Sequence, residues 1–146
     1  RGRGVDRLED LVRLRDVHLD DVDGDAAGQA RNGIRELLLE NGDGGIRMVS
    51  AIAARYRPGH FLKMHNDKSS EEDRAFAYVI NLGHDWQADW GGLLQFLDEK
   101  QNVVETFTPH WNSLSLFRVP QLHQVSLMAP WAKENRYSIT GWFRRR

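Results

Sequence analysis

His65-Asn66-Asp67 closes an extended run that begins Phe61-Leu62-Lys63-Met64. Side chains alternate faces along a strand, so positions i and i+2 point the same way and the His65 imidazole stands beside the Asp67 carboxylate. Such a pair can offer two ligands to a metal from one strand end. His-x-Asp is also short enough to recur by chance, and a surface histidine beside an acidic turn is its commoner explanation. A second inward histidine lies in Gln121-Leu122-His123-Gln124-Val125-Ser126-Leu127, where His123, Val125 and Leu127 share a face. Alone, an inward histidine is more often a core residue hydrogen-bonded to a backbone carbonyl. In this order, His-x-Asp followed by a distant His on a late strand, the three match the 2-His-1-carboxylate arrangement, which holds one face of an octahedral iron(II) and leaves the other open.

The last extended run adds a different chemistry. In Arg136-Tyr137-Ser138-Ile139-Thr140-Gly141-Trp142-Phe143 the polar residues Arg136, Ser138 and Thr140 alternate onto one face. A guanidinium grips a carboxylate in a planar two-point fork, and Ser138 can add a hydroxyl beside it. The alternative is an edge strand with its polar side in water and Arg136 in a surface salt bridge. The chain has no cysteine, which removes disulfides, zinc ribbons, iron–sulfur clusters and thiolate catalysis, so any metal must be held by His, Asp or Glu.

The elements that position these residues fall into two textures. Leu8, Leu11 and Val12, then Ile34, Leu37 and Leu38 before Asn41-Gly42, recur at helical spacing. The acidic stretch from Asp20 to Asp25 lacks the glutamate that would close a calcium loop and reads as a solvated turn. From Ile46 the chain becomes short segments rich in β-branched and aromatic residues. They run over 46–56, 61–67, 75–82, 93–97, 103–107, 113–118, 122–128 and 136–143, punctuated at Pro58-Gly59, Gly91-Gly92, Asp98-Glu99, Pro109, Pro120 and Pro130. This spacing predicts a mainly β sandwich or barrel of the jelly-roll type. A single domain over 1–146 is expected, with supporting N-terminal helices over 1–45 and a β core over 46–146.

Twenty basic residues against 21 acidic leave a formal net charge of -1, so no global field favours nucleic acid or an anionic membrane. No run reaches the ~20 apolar residues that a membrane-spanning helix needs, and Arg1-Gly2-Arg3-Gly4 has no apolar signal core behind it, so a soluble cytoplasmic protein is the expectation. The chain has no initiating Met and its first segments read as loosely joined, which is compatible with residues trimmed or left out near the N-terminus.

With these residues in view, the sequence from about Ile46 to Phe143 resembles the iron(II)- and 2-oxoglutarate-dependent dioxygenases, in their prolyl-hydroxylase-like branch. The resemblance includes Tyr56-Arg57-Pro58-Gly59, His65-Asn66-Asp67 and the run from Tyr78 to Trp86. It continues through Gly91-Gly92-Leu93-Leu94-Gln95-Phe96, Pro120 to Val125, and Arg136 to Phe143. It implies a double-stranded β-helix with N-terminal helices, and iron held by His65, Asp67 and His123, with no catalytic side chain beyond the metal centre. Arg136 matches the residue that pairs with the distal carboxylate of 2-oxoglutarate, and Tyr56 a tyrosine near that co-substrate. Asn81 stands where relatives commonly have a tyrosine holding the same carboxylate, so Tyr78 or Ser138 is expected to supply that contact instead. The implied reaction converts 2-oxoglutarate and O2 to succinate and CO2 while hydroxylating a substrate, with ascorbate admissible as a reductant.

Several features stay outside this assignment. Gly91-Gly92 reads as a turn into the next strand rather than a phosphate cradle. Trp86, Trp90, Trp111, Trp131 and Trp142 are expected mostly to pack, although Trp86 and Trp90 sit in a loop that could wall a substrate groove. His18, His60, His84 and His110 have no partner at ligand spacing, and Arg144-Arg145-Arg146 reads as a solvated tail. Lys68 to Arg74 is polar and charged and reads as a flexible loop beside the metal, expected to order over bound substrate. The leading expectation is hydroxylation of a prolyl residue in a peptide or protein; a free amino acid or small metabolite is the alternative substrate. A non-catalytic jelly-roll metal-binding module would predict loss of a ligand or of the arginine, and all four are present. A zinc hydrolase would need a general base beside the ligands, where no glutamate sits, and would leave Arg136 and Ser138 without a role.

Overall fold

Alternation of apolar and polar residues, broken by Pro and Gly, builds a chain of antiparallel strands. The computed structural model describes residues 48–145; the helical segments expected over 1–45 lie outside them. In order, the strands are β1 (Met48–Val49), β2 (Ile52–Tyr56), β3 (Leu62–His65), β4 (Arg74–Asn81), β5 (Leu94–Leu97), β6 (Val103–Phe107), β7 (Ser113–Arg118), β8 (His123–Val125) and β9 (Arg136–Arg144). A single 3-10 turn, Ala88–Trp90, precedes β5. One sheet runs β1-β9-β4-β7, with β2 also on β9; the other runs β3-β8-β5-β6. This is the expected jelly roll, a double-stranded β-helix.

The expected run over 46–56 is divided into β1 and β2, and Gly141 explains the break. A Cβ on Gly141 would lie 1.7 Å from the Ser50 carbonyl oxygen, so only glycine lets that carbonyl cross β9. The crossing is fixed by the Tyr78 hydroxyl, which donates to the same oxygen at 2.9 Å, and by Ser50 N–H donating to the Trp142 carbonyl at 3.1 Å.

Alternation along β4 sorts its side chains between two apolar layers. Ala77 and Val79 face inward and pack with Leu94, Phe96 and Phe117, joined by Phe107, Val119 and Trp142. Phe96 is the centre of this layer, edge-on to Phe107 and Phe117 at centroid distances of 5.6 and 5.0 Å. Burying such a side chain contributes ~1.5–3 kcal/mol. Phe76 and Tyr78 face the opposite way, in a second layer with Ala75, Leu116, Ile139 and Phe143. Asn81 shares the inward parity of Ala77 and Val79, at the end of β4, where it is buried.

Candidate metal centre

β3 ends at His65 and β8 begins at His123, and the two are partners across the β3–β8 ladder. The pairing brings the rings to a centroid distance of 4.2 Å. In each, Nδ1 lies 2.7 Å from the backbone carbonyl two residues earlier, Lys63 for His65 and Gln121 for His123. A carbonyl oxygen can only accept, so Nδ1 carries the proton and Nε2 keeps its lone pair for a metal. Asp67 lies just past β3 with φ at +60°, in the left-handed region that non-glycine residues visit at a cost of about 1–3 kcal/mol when the surroundings hold them there. That turn brings its carboxylate between the imidazoles: His65 Nε2 is 3.3 Å from one oxygen and His123 Nε2 is 3.4 Å from the other. The three ligand atoms all lie within 4.8 Å of one another. Two lone pairs and a carboxylate facing inward repel unless protons or a cation lie between them, and with neutral imidazoles the set carries one negative charge. It fits a divalent metal.

The two histidines titrate in opposite directions. In the metal-free site a protonated His65 can donate Nε2–H to Asp67, which raises the His65 pKa above its ordinary value, whereas burial pushes that of His123 below it. Burial alone would raise the Asp67 carboxyl, but the hydrogen bond from His65 and the positive field of His123 together hold it below the usual carboxylate range. Phe117 and Phe96 wall the inner side of His123, with centroids 4.7 and 6.1 Å away, a dry backing that limits water access.

On the same inner face as the core, β9 carries Arg136 and Ser138, both buried. Arg136 is only 2 % exposed, its NH2 donates to Asn81 Oδ1 at 3.1 Å, and its Nε has no hydrogen-bond partner. Among the described residues no acidic side chain pairs with it. Burial pulls its pKa below the ordinary value, but a guanidinium stays charged. A buried cation with an orphaned N–H calls for an anion, and a carboxylate fits its fork. Asn81 is held in turn: its amide donates to Ser113 Oγ at 3.1 Å, and that hydroxyl donates to the His110 carbonyl at 2.7 Å. Ser138 is the β9 partner of Asn81, and Tyr56 the β2 partner of Arg136, whose guanidinium carbon lies 5.3 Å from the Tyr56 ring centre. Burial raises the Tyr56 pKa against the opposing field of Arg136, so the phenol stays protonated and available as a donor.

Asn81 therefore orients the arginine rather than leaving a gap. Tyr78, expected as an alternative second contact, does not reach this site: it sits on the opposite face of β4, its hydroxyl engaged by Ser50. Tyr78→Phe is expected to cost about 1 kcal/mol of stability, the net worth of one hydrogen bond, with co-substrate affinity unchanged; thermal melts and ligand titration of the variant check both. Trp86 also departs from the groove-wall expectation. It is buried, donates its indole N–H to the Gly91 carbonyl at 3.1 Å, and meets Trp90 edge-on at 5.3 Å, so of the two only Trp90 keeps a partly open face. Gly91 and Gly92 both have positive φ and turn the chain into β5. The loop after Asp67 is pinned rather than free. Ser69 Oγ accepts from the Glu71 and Glu72 N–H groups at 3.2 Å, and Arg74, Arg144 and Arg145 tie Glu72 and Asp73 to neighbouring strands.

A jelly roll carrying two imidazoles and one carboxylate at its mouth, with a buried arginine on the facing strand, is the constitution of a non-haem metal oxygenase. The 2OG-Fe(II) oxygenase superfamily model matches residues 51–144, and this chain belongs to that superfamily. It is 30% identical over 126 residues to the Mus musculus protein named prolyl 3-hydroxylase OGFOD1, an alignment covering 75% of this chain and 23% of the mouse protein. A crystal structure of a Pseudomonas putida prolyl-4-hydroxylase superposes with a TM-score of 0.67 at 27% identity, covering 80% of this chain and 64% of that one. A Trichoplax adhaerens prolyl hydroxylase in complex with a hypoxia inducible factor oxygen degradation domain peptide fragment shares the fold, with a TM-score of 0.62 at 22% identity over 82% of this chain and 56% of that one.

Proposed function

We propose that this chain hydroxylates a prolyl residue in a peptide or protein, using iron(II) on His65, Asp67 and His123 and 2-oxoglutarate anchored by Arg136. The observation that carries the reading is the buried Arg136 guanidinium, without an acidic partner among the described residues, on the inner face of the same double sheet as the triad. A metal-binding module without turnover has no use for it. When bound, iron and 2-oxoglutarate supply the oxidising chemistry: the co-substrate is oxidatively decarboxylated to succinate and CO2, and one oxygen atom of O2 goes to the substrate. The protein's part is geometric. His65 and His123 hold their lone pairs on the metal through fixed tautomers, Arg136 takes the distal carboxylate with Asn81 orienting its fork, and Tyr56 and Ser138 line that pocket.

Two considerations support a prolyl substrate in a polypeptide. The relatives above are prolyl hydroxylases by name, one a 3-hydroxylase and another a 4-hydroxylase, so the proposal fixes the residue and not the ring carbon. The chain's strand β3 and its neighbour β8 also border an open depression of about 540 Å³, lined by Phe61, Leu62, Met64, Val125 and Leu127 together with the polar Lys63, Gln124 and Ser126. An extended peptide suits such a depression better than a small metabolite does. The test is anaerobic reconstitution with iron(II) and 2-oxoglutarate, then oxygen exposure with succinate measured. Succinate release stimulated by proline-containing peptides, with a hydroxylated peptide in the mass spectrum, is the expected outcome. Stimulation by free amino acids alone would overturn the substrate class, and no succinate under any condition would overturn the oxygenase assignment.

A further inference from the structure

Arg74 opens β4 seven residues after Asp67, and regular alternation would turn it outward with Phe76 and Tyr78. It does not go there. The β4–β9 ladder shifts register between Arg74 and Phe76, where Arg74 faces Arg144 while Phe76 faces Phe143. A bulge of this kind re-aims a side chain. The guanidinium swings to the inner side and lies over the Trp142 ring, 3.9 Å from its centre. From that seat NH1 donates to the Asp67 backbone carbonyl at 3.3 Å and Nε donates to Glu72 Oε2 at 2.7 Å. The other Glu72 oxygen accepts from Arg144 at the end of β9. One side chain thus ties the strained metal-ligand turn to two strands of the larger sheet.

We propose that Arg74, seated on Trp142 and locked by Glu72, is a positioning residue that holds the Asp67 turn so that its carboxylate meets the two imidazoles. Metal affinity then depends on a latch that contains no metal ligand. Three observations exclude a purely architectural role. The Glu72–Arg74 pair is only part-buried, where an ion pair contributes little to folding. The turn it grips has a positive φ that Asp67 would leave if released. The Trp142 ring that seats the guanidinium also borders the metal ligand, with its buried indole N–H beside the Asp67 carboxylate.

The proposal rests on the metal reading of the triad, and the test separates the two. Cobalt(II) is titrated anaerobically into the wild-type chain, Arg74→Ala and Glu72→Ala, with affinity and the visible cobalt spectrum recorded alongside the metal-free thermal midpoint. Residues that orient ligands typically change metal affinity by about 10- to 100-fold, and Arg74→Ala is expected in that range with an altered cobalt band shape. Glu72→Ala, which leaves the arginine in place but unlatched, is expected to weaken binding by roughly three- to tenfold with little change in the midpoint. Wild-type affinity and spectrum in Glu72→Ala would overturn the latch even if Arg74→Ala fails to fold. A wild-type chain that binds no cobalt would instead overturn the metal reading itself.

Discussion

Arg136→Ala is expected to weaken 2-oxoglutarate binding by about 30- to several-thousand-fold while leaving metal affinity within a few-fold of the wild type. Truncating one partner of a desolvated charge pair costs ~2–5 kcal/mol, at a factor of ten per ~1.4 kcal/mol. The metal should be spared because two of its three ligands belong to β3 and β8, in the sheet opposite the β9 strand that carries Arg136. Arg136→Lys should recover only part of the loss, since an ammonium keeps the charge but not the two-point fork. Asn81→Ala should move affinity in the same direction by less, because it removes the group orienting NH2 and not the charge. The stability readout runs the other way. The guanidinium is buried with its Nε unpaired, so its desolvation opposes folding, and a well-filled Arg136→Met variant should melt no lower than the wild type. Isothermal titration of 2-oxoglutarate into the manganese-loaded protein, beside thermal melts, measures both. Comparable losses of metal and co-substrate would argue against an anchoring role.

The same positions show how far alternation carries a reading of the chain. The strands were legible because β-branched and aromatic residues alternate between Pro and Gly punctuation, and the ligands because His-x-Asp shares a face by parity. Parity also places Tyr78 opposite Asn81, three residues on; the expectation that Tyr78 reaches the co-substrate weighed chemistry above geometry. Other features have no local signal. The split of the first strand depends on the Ser50 carbonyl crossing a glycine that lies far along the chain. Arg74 was missed because a bulge inverts its face, and a bulge follows from the register of two strands rather than from either alone. Asn81 looked like a missing anchor because its partners, Arg136 and Ser113, meet it only through folding. The segments expected to be helical over 1–45 lie outside the described residues.

His123→Ala should produce the complementary result: metal affinity falls by more than ~100-fold, beyond the range seen for outer residues, while what remains of 2-oxoglutarate binding depends on Arg136. The loss should exceed that of either latch variant because a donor atom is removed and not merely displaced. The metal-free protein gives an independent check through pH. The His123 pKa is depressed by burial, so its contribution to stability is present above the ordinary value of 6.5 and is lost as pH falls below it. His65 is raised by Asp67, so its contribution is present below 6.5 and is lost as pH rises through its elevated value. His123→Ala should therefore flatten the acid-side fall in stability, and His65→Ala should remove stabilisation on that same side and deepen it. Denaturant melts of the metal-free variants across this range should show opposite changes of slope. Equal changes of slope would mean that the two imidazoles do not occupy the dry and half-exposed environments that distinguish them.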